Sequence, residues 1–398
     1  MTLKRIGIIG NGVAATTAVR EIRSSDQTIA VDVFTDERHP YYPRPNLIDL
    51  VAGRRTIEET IRFDTDWYEN QDVTLFVSKP VVEVDTASKR VVTTSTTHSG
   101  YDSILIGVGC VPFVPPFRGL WKRNVHVLRT LDDALDIREG VAGAGREIVI
   151  GGGILGIELA AAIKEVGGDP LIVSNENTLL PLQLDADGSN LLVELLERKG
   201  LTVLRGFSCQ CITGDDSVTG IVSSTGDKIE GDLVVIATGV RSNTQLAKNS
   251  GIVTDRAIVV NDHMETSAKG IFAAGDCAEW NGTWYGIIPW ATATARVAAQ
   301  NMLNPGSAVF DGITPSNTLQ VAGIDLTSIG VIHPESPEYE FLVALDKEAG
   351  TYFKAVFKEG KVVGGISLGE RKVAMKLRTL IMKGVDVSGD KFSVFELD

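Results

Sequence analysis

Two glycine-rich segments, about 140 residues apart, carry the residue types that bind a dinucleotide. Gly10–Ala15 reads Gly-Asn-Gly-Val-Ala-Ala and Gly151–Gly156 reads Gly-Gly-Gly-Ile-Leu-Gly; each follows a short apolar run and opens a helical pattern. The first glycine permits a tight turn, the second lets the backbone approach a pyrophosphate, and the third small residue lets helix and strand pack closely. The pyrophosphate then lies on the helix N-terminus, where unpaired N–H groups favour negative charge. Two such segments in matched contexts predict two dinucleotide sites.

An aspartate and a helix start further along the chain are also placed to meet a ligand. The run Lys269–Asp276 is an apolar strand that ends on a carboxylate, which can accept a hydrogen bond from a ligand hydroxyl. Pro289 and Trp290 then open an alanine-rich helix that reaches about Asn301. Proline suits the first helical turn because the N–H that it lacks would be unpaired there.

The cysteines do not indicate disulfide or metal chemistry. Cys110, Cys209, Cys211 and Cys277 form no CxxC or CxxxxC pair, so the sequence excludes a redox-active dithiol of that kind. Four cysteines in a chain of this size are better interpreted as reduced thiols. Cys209 and Cys211 would share one face of a strand, but no histidine lies near them in the sequence, and packing is the favoured interpretation. We predict no metal site.

Composition and charge favour a globular, intracellular enzyme. The 398 residues are 43% hydrophobic and 22% charged, and their length suggests two or three domains. Met1–Arg5 leads directly into the first strand, Ile6–Ile9, and no apolar run reaches the roughly 20 residues that would cross a bilayer. We therefore expect a cytoplasmic protein without a membrane span. The net charge of −13 argues against nucleic acid as a partner.

One basic segment stands out on this acidic chain. Residues 370–378 and Lys383 form a cation-rich, helical pattern near the C-terminus. The pattern fits a solvated helix face, which is the plainer interpretation. It also fits a docking patch for a small acidic redox protein that complementary charge would steer.

Strand and helix patterns alternate from Ile6 to about residue 85, which is typical of βαβ units around a parallel sheet. The second glycine segment has its own strand, Glu147–Ile150, and a helix from about Ile154 to Val166. Apolar runs that end in glycine, 101–109 and 232–239, resemble each other and close the two units. The chain is therefore predicted to be a duplicated α/β unit whose second copy is inserted into the first.

The predicted domains are residues 1–112 and 241–315 for the first nucleotide-binding domain and 113–240 for the second. Residues 316–398 form a separate α+β domain with strands at 319–331, 340–345, 352–358 and 361–368 and a final helix. The turn Lys358–Lys361 joins the last two strands as a hairpin.

These motifs resemble the pyridine nucleotide-disulfide oxidoreductase family over essentially the whole chain. The resemblance rests on both glycine segments, both closing strands, residues 232–243, 271–276, 321–326 and 360–369. Residues 41–49 and the short C-terminal domain look most like NADH:rubredoxin oxidoreductases and the flavoprotein module of assimilatory nitrite reductases, which lack the dithiol. The resemblance implies two Rossmann-like domains, with FAD in the first and NAD(P)H in the second.

The resemblance also implies individual roles in the FAD site. The pyrophosphate, the adenosine ribose, the flavin and the ribityl chain would be held by Gly10, Gly12, Ala15, Asp36 or Glu37, Arg44, Pro45, Gly109, Gly275 and Asp276. Arg44 has the alternative of a plain surface charge, and Asp276 that of a turn residue. The helix at Pro289 would point its N-terminus at the flavin and stabilise negative charge there. Trp290 either borders the flavin ring or simply packs.

In the second site, Gly151, Gly153, Gly156 and Gly239 match the nicotinamide-nucleotide segments. Glu158 matches the glutamate that the family places near the flavin and the nicotinamide, although a glutamate in a first helical turn can serve only the helix dipole. Relatives specific for NADH carry an acidic residue where this chain has Ser174 and Asn175, and no arginine replaces it there. Residues 107–109, Gly-Val-Gly, also stand where the family usually has Ala-Thr-Gly.

The predicted function is an FAD-dependent NAD(P)H oxidoreductase. Hydride would pass from NAD(P)H to FAD, and electrons would then pass to a small acidic carrier such as rubredoxin or to O2. A relay flavoprotein with a degenerate nicotinamide site is the alternative from another class. The sequence leaves open the acceptor, the preference between NADH and NADPH, the redox potential and the oligomeric state, with a homodimer among the open states.

Overall fold

The structure is a computed structural model that describes residues 5–313 and 316–396. Its contacts divide the chain into two compact units. Unit 1 comprises residues 1–113, 129–131 and 240–313, and unit 2 comprises residues 114–128, 132–239 and 314–398. The domain bounds inferred from sequence stay a prediction beside these units.

Unit 1 is built from the two outer parts of the nucleotide-binding region. Its elements before the chain enters unit 2 are β1 (Arg5–Ile9), α1 (Val13–Ser25), β2 (Ala30–Phe34), α2 (Asn46–Val51), α3 (Ile57–Thr60), α4 (Thr65–Asn70), β3 (Val73–Phe76), β4 (Val81–Asp85), β5 (Arg90–Thr93), β6 (Thr97–His98), β7 (Ser103–Ile106) and β8 (Cys110–Pro112). The intervening segment supplies β9 (Val125–Val127), α5 (Leu131–Val141), β10 (Glu147–Ile150), α6 (Ile154–Glu165), β11 (Pro170–Val173), α7 (Ala186–Arg198), β12 (Thr202–Leu204), β13 (Cys209–Thr213), β14 (Gly220–Ser223), β15 (Lys228–Glu230) and β16 (Leu233–Ile236).

The remaining elements complete unit 1 and then the C-terminal domain. They are β17 (Val240–Ser242), α8 (Gln245–Asn249), β18 (Ile258–Val260), β19 (Ile271–Ala273), a 3-10 turn (Gly275–Cys277), β20 (Ala278–Trp280), α9 (Ile288–Leu303), β21 (Ser316–Val321), β22 (Ile324–Gly330), β23 (Glu340–Asp346), β24 (Thr351–Lys358), β25 (Lys361–Leu368), α10 (Arg371–Lys383) and a 3-10 turn (Phe392–Phe395).

Each unit holds a five-stranded parallel sheet with the strand of its glycine segment near the centre. The strand order is β19-β7-β1-β2-β3 in unit 1 and β12-β11-β10-β16-β9 in unit 2. Ile9 pairs with Phe34 and Ile106, and Ile150 pairs in the same way with Val173 and Ile236. The central strands are apolar runs buried on both faces, as parallel strands covered by helices require. The predicted α/β class with two Rossmann-like sheets is confirmed.

The C-terminal domain is a five-stranded antiparallel sheet, ordered β21-β22-β25-β24-β23, with α10 packed on it. The predicted hairpin at Lys358–Lys361 is confirmed by the pairing of β24 with β25. The single strand predicted over 319–331 is wrong, because the chain reverses at Ala322 and Gly323, whose φ angles are +49° and +72°. A turn with alanine in the left-handed region carries little sequence signal, since alanine rarely adopts that conformation.

No helix of the described residues combines the length and the apolar character that crossing a membrane would require.

Within unit 2, a buried ion pair ties the C-terminal sheet to the nucleotide-binding fold. Lys354, on β24, has a side chain only 8% exposed, and its Nζ donates to Asp185 Oδ2 at 2.8 Å. The Tyr352 hydroxyl donates to the same oxygen at 2.6 Å, and Asp185 Oδ1 caps α7 by accepting from the N–H of Gly188. Burial alone would raise the pKa of Asp185, but the hydrogen bonds from Lys354 and Tyr352 outweigh it and lower the pKa.

We expect Asp185→Ala to lower the free energy of unfolding by about 3 kcal/mol, because it leaves a buried ammonium unpaired and removes a helix cap. Since the folded pKa of Asp185 lies below its unfolded value, its contribution is fully present above about pH 4 and is lost as the pH falls through the folded pKa. Urea unfolding at pH 7 measures the change. Asp169→Ala, which removes an exposed partner of Arg146, is the control. An equal loss of unfolding free energy in both variants would show that the buried ion pair has no special stabilising role.

Candidate functional site

A cavity of about 540 Å³ opens in unit 1 at the carboxyl ends of its parallel strands. Four lining segments follow strand ends: residues 9–14 after β1, 34–37 after β2, 107–110 after β7 and 274–276 after β19. The other lining residues are Arg44, Pro45, residues 79–82, Arg129, Val240, Asn243, Gln245, Leu246, Asn249, residues 286–288 and Ala291. This edge is where open α/β sheets bind their ligands.

The first glycine segment shapes one wall of the cavity. Gly10 has φ +102°, and a Cβ there would lie 2.3 Å from the carbonyl oxygen of Gly107. Gly12 has open space where a Cβ would project, and it begins α1 as an N-cap without a side-chain cap. Ala15 is fully buried in the helix that follows. Backbone N–H groups of the first turn of α1 therefore have no capping side chain in the way of an anion.

A hydrogen-bonded cluster fixes the charged residues after β2. Both Glu37 carboxylate oxygens accept, one from Arg44 Nη2 and one from the Tyr42 hydroxyl. Arg44 Nη1 also donates at 2.6 Å to the carbonyl oxygen of Arg129. Burial would lower the pKa of Arg44, but Glu37 and Tyr42 outweigh it and raise the pKa, so the guanidinium is charged. Asp36 is exposed at the cavity, which leaves its carboxylate accessible to a ribose hydroxyl.

Asp276 lies in a 3-10 turn on the cavity wall, directly after β19. Burial raises the pKa of Asp276, against the opposing effects of a hydrogen bond from Cys110 and the charge of Arg129. The Cys110 Sγ lies 3.4 Å from Asp276 Oδ2. Burial also raises the pKa of the Cys110 thiol to about 12, so it is a neutral donor to the carboxylate.

Helix α9 contributes Ile288 and Ala291 to the cavity lining, and its N-cap, Ile287, provides no side-chain cap. Trp290 is fully buried, and its Nε1 donates at 3.2 Å to the carbonyl oxygen of Gly275. Its ring packs edge-on against Tyr285 and Phe310. Trp290 therefore lies in the core, and the contacts of its ring are packing contacts. Pro289, the residue before it, is exposed.

Sequence reasoning did not identify Arg129 and Cys110 as cavity residues. Cys110 directly follows Gly109, which was predicted to lie in the FAD site, so its position next to that glycine could have identified it as a cavity residue. Arg129 lies 20 residues beyond Gly109, in the short segment Arg129–Leu131 that belongs to unit 1 although unit 2 holds the residues on both sides of it. No spacing rule predicts such an excursion.

The second glycine segment, in unit 2, repeats the backbone geometry of the first. Gly151 has φ +137°, and a Cβ there would lie 2.2 Å from the carbonyl oxygen of Ala237. A Cβ at Gly156 would lie 2.1 Å from the carbonyl oxygen of Gly151, whereas Gly153 has open space and begins α6 without a side-chain cap. Gly239, at φ +102°, also has open space around it.

Glu158 is the fifth residue of α6, in its second turn rather than its first. The dipole interpretation is weaker there because the effect fades beyond the first turn. Its Oε1 accepts a hydrogen bond of 2.7 Å from the backbone N–H of Ala322, at the tip of the β21–β22 hairpin.

The loop after β11 carries no carboxylate at its first two positions. Ser174 is buried, and its Oγ accepts from the N–H of Glu176 at 3.2 Å. Asn175 is exposed beside it. The serine hydroxyl therefore takes part in the loop's own hydrogen bonding, and Asn175 is exposed, as are Glu176 and Asn177 after it.

The described residues contain no cluster of three or more His, Cys, Asp or Glu side chains suited to an ion. The four cysteines are free thiols.

The residues of unit 1 fit a bound FAD. The cavity lies within the usual range for ligand sites, about 300–1,000 Å³. Asn11, on the cavity wall, has a buried Nδ2 without a hydrogen-bond partner among the described residues. Two arginines, an uncapped helix and an unpartnered amide suit a pyrophosphate.

Substitutions at the two open glycines separate the two nucleotide sites. We expect Gly12→Val to fold but to weaken FAD binding by about 100-fold or more, because its side chain would occupy the space of the pyrophosphate. Gly153→Val should keep FAD and lose binding of the nicotinamide nucleotide. FAD content and nucleotide binding are measured by absorbance and calorimetry. Gly389→Val, also in open space, is the control; FAD retained by Gly12→Val would refute the assignment.

Comparison with known proteins places this geometry in a family. Residues 4–299 match the family "Pyridine nucleotide-disulphide oxidoreductase", and residues 315–385 match the "Rubredoxin NAD+ reductase C-terminal domain". The chain is 34% identical over 389 residues to a nitrite reductase [NAD(P)H] of Bacillus subtilis, which covers 98% of this chain and 48% of the relative. It therefore spans about half the length of that relative.

A second relative, an NADH-rubredoxin oxidoreductase of Clostridium acetobutylicum, is 30% identical over 398 residues, covering 100% of this chain and 98% of the relative. The crystal structure of NADH:rubredoxin oxidoreductase from Clostridium acetobutylicum superposes with a TM-score of 0.82 at 29% identity, covering 97% of this chain and 96% of that one. The chain belongs to the pyridine nucleotide-disulphide oxidoreductase family.

Proposed function

We propose that this protein oxidises NAD(P)H through FAD and passes the electrons to a small carrier protein of the rubredoxin type. The observation that carries the proposal is the combination of a formed cavity in unit 1 with a second, equally open glycine segment in unit 2. The match of the C-terminal domain to that of rubredoxin NAD+ reductases supports a carrier of this kind.

In this proposal the residues of unit 1 bind and orient FAD. Gly12 and the first turn of α1 receive the pyrophosphate, with Arg44 and Arg129 neutralising its charge. Asp276 accepts from the ribityl hydroxyls, and the neutral Cys110 thiol holds its carboxylate in place. When bound, FAD supplies the chemistry of accepting a hydride and releasing electrons one at a time.

The residues of unit 2 bind the nicotinamide nucleotide. Gly151, Gly153 and the first turn of α6 receive its pyrophosphate. Glu158 contacts the nicotinamide region, and its hydrogen bond to Ala322 fixes the carboxylate. The C-terminal domain thereby acts as a positioning element for this site.

A relay flavoprotein with an impaired nicotinamide site is the second candidate. The observation that favours it is Ser174, whose hydroxyl is engaged by the loop where a carboxylate would bind the ribose 2′-OH. Such a protein would bind FAD and accept electrons from another protein.

An anaerobic titration with NADH and then NADPH, followed by addition of rubredoxin, tests the proposal. We expect bleaching of the flavin band near about 450 nm by at least one nucleotide, then its return as rubredoxin is reduced. A flavin that neither nucleotide bleaches would support the relay function instead. Return of the band with O2 but not with rubredoxin would identify an NADH oxidase and refute the carrier.

Nucleotide preference is expected to respond to Asn175. We expect Asn175→Arg to lower the KM for NADPH relative to that for NADH by about tenfold, because a guanidinium at this exposed position can pair with the 2′-phosphate. Steady-state kinetics with both nucleotides measure the ratio. Gln210→Arg adds the same charge at another exposed position of unit 2 as the control; an unchanged ratio in Asn175→Arg would show that the ribose lies elsewhere.

A further inference from the structure

Helix α10 has an exposed face that mixes cations with apolar side chains. Its 13 residues include five cations and no carboxylate, on a chain with net charge −13. Arg371, Met375, Arg378 and Met382 follow the spacing i, i+4, i+7, i+11, so they form one stripe about 16 Å long. Met375 and Met382 are 63% and 75% exposed.

The opposite face of α10 accounts for the folding of the helix. Val373, Ala374 and Leu377 are buried against the C-terminal sheet, with Ala355 and Phe357 in the same cluster. The exposed stripe is therefore not needed for the core. Two methionines exposed this far add adaptable apolar surface without any packing role in the fold.

Two of the five cations of α10 lie at the end of the helix that disfavours positive charge. Arg371 and Lys372 lie in the first turn, where the helix dipole disfavours positive charge, and no acidic residue accompanies them there. Glu370 is the N-cap and its carboxylate accepts from the N–H of Lys372. Lys383, in the last turn, is where the dipole favours a cation, so only Arg371 and Lys372 occupy positions that helix formation alone does not explain.

The cations on this face are accessible to a partner. Within residues 5–313 and 316–396, no carboxylate forms an ion pair with Arg371, Lys372, Arg378 or Lys383. Lys376, at the side of the stripe, donates instead to the carbonyl oxygen of Glu396. Unpaired cations that alternate with exposed apolar side chains suit the fast, short-lived association of an acidic surface.

We propose that the stripe Arg371–Met375–Arg378–Met382 is the docking surface for the acidic face of the small electron carrier. This inference rests on the proposed function, which it deepens by naming the surface and the charge of the partner. The cations steer the encounter, and the methionines supply contact area that tolerates small changes of orientation.

The test compares two double variants that remove the same charge from unit 2. Arg371→Gln/Arg378→Gln alters the stripe and keeps helix propensity, because glutamine and arginine are similar helix formers. Lys199→Gln/Lys228→Gln removes two exposed cations elsewhere in the unit. The probe is a purified rubredoxin with net negative charge, and reduction of a small neutral quinone by NAD(P)H reports activity that needs no docking.

We expect the stripe variant to raise the KM for rubredoxin by about fivefold or more at an ionic strength of about 20 mM, and the control to change it little. The difference should shrink at about 200 mM because salt screens exposed charges. Quinone reduction should be unchanged in both variants. Met375→Ser/Met382→Ser should raise the KM at both ionic strengths, since apolar contact is not screened.

Four results would overturn the docking surface. Equal effects of the two charge variants would assign the change to net charge, and no effect of either would place docking elsewhere. A stripe variant that changes only the self-association of the chain at low salt would identify a second copy as the occupant. If the wild type reduces the quinone but not rubredoxin, the carrier half of the proposed function fails and the docking surface fails with it.

Discussion

The close approach of two backbones at the end of each central strand is the constraint on which the two proposed nucleotide sites depend. In unit 1 the first glycine of the segment lies against the carbonyl of Gly107, and in unit 2 the corresponding glycine lies against that of Ala237. Neither place has room for a Cβ, and both glycines have positive φ. The turn that follows can therefore present its N–H groups at the sheet edge only while these positions remain glycine. The residue that restricts the glycine differs between the units, Gly107 in unit 1 and Ala237 in unit 2, but the steric restriction is the same.

The treatment of helix N-termini follows from that constraint. Helices α1, α6 and α9 begin without a side-chain cap, whereas Asp185 caps α7 and Glu370 caps α10. A side-chain cap contributes about 1 kcal/mol to the stability of a helix, so each of these three long helices lacks roughly that stabilisation from the protein's own side chains. A bound anion would satisfy the same N–H groups, which couples cofactor binding to the stability of each unit.

The sequence could predict the features whose cause is local. The strand Glu147–Ile150 and the start of α6 followed from an apolar run and a glycine segment, and the two-residue turn at Lys358–Lys361 followed from a short polar interruption. Features with long-range causes could not be predicted. Arg129 reaches the cavity by an isolated excursion of the chain, and the contact between Glu158 and Ala322 joins residues 164 positions apart.

In the proposed mechanism one chain binds both nucleotides and transfers hydride between them. This step can be measured by stopped-flow reduction of the holoprotein with NAD(P)H that carries deuterium at the transferred C4 position. We expect the flavin band to bleach in a single turnover, and to bleach more slowly with the deuterated nucleotide. Tight binding of the nucleotide without bleaching of the flavin would show that this chain does not transfer hydride.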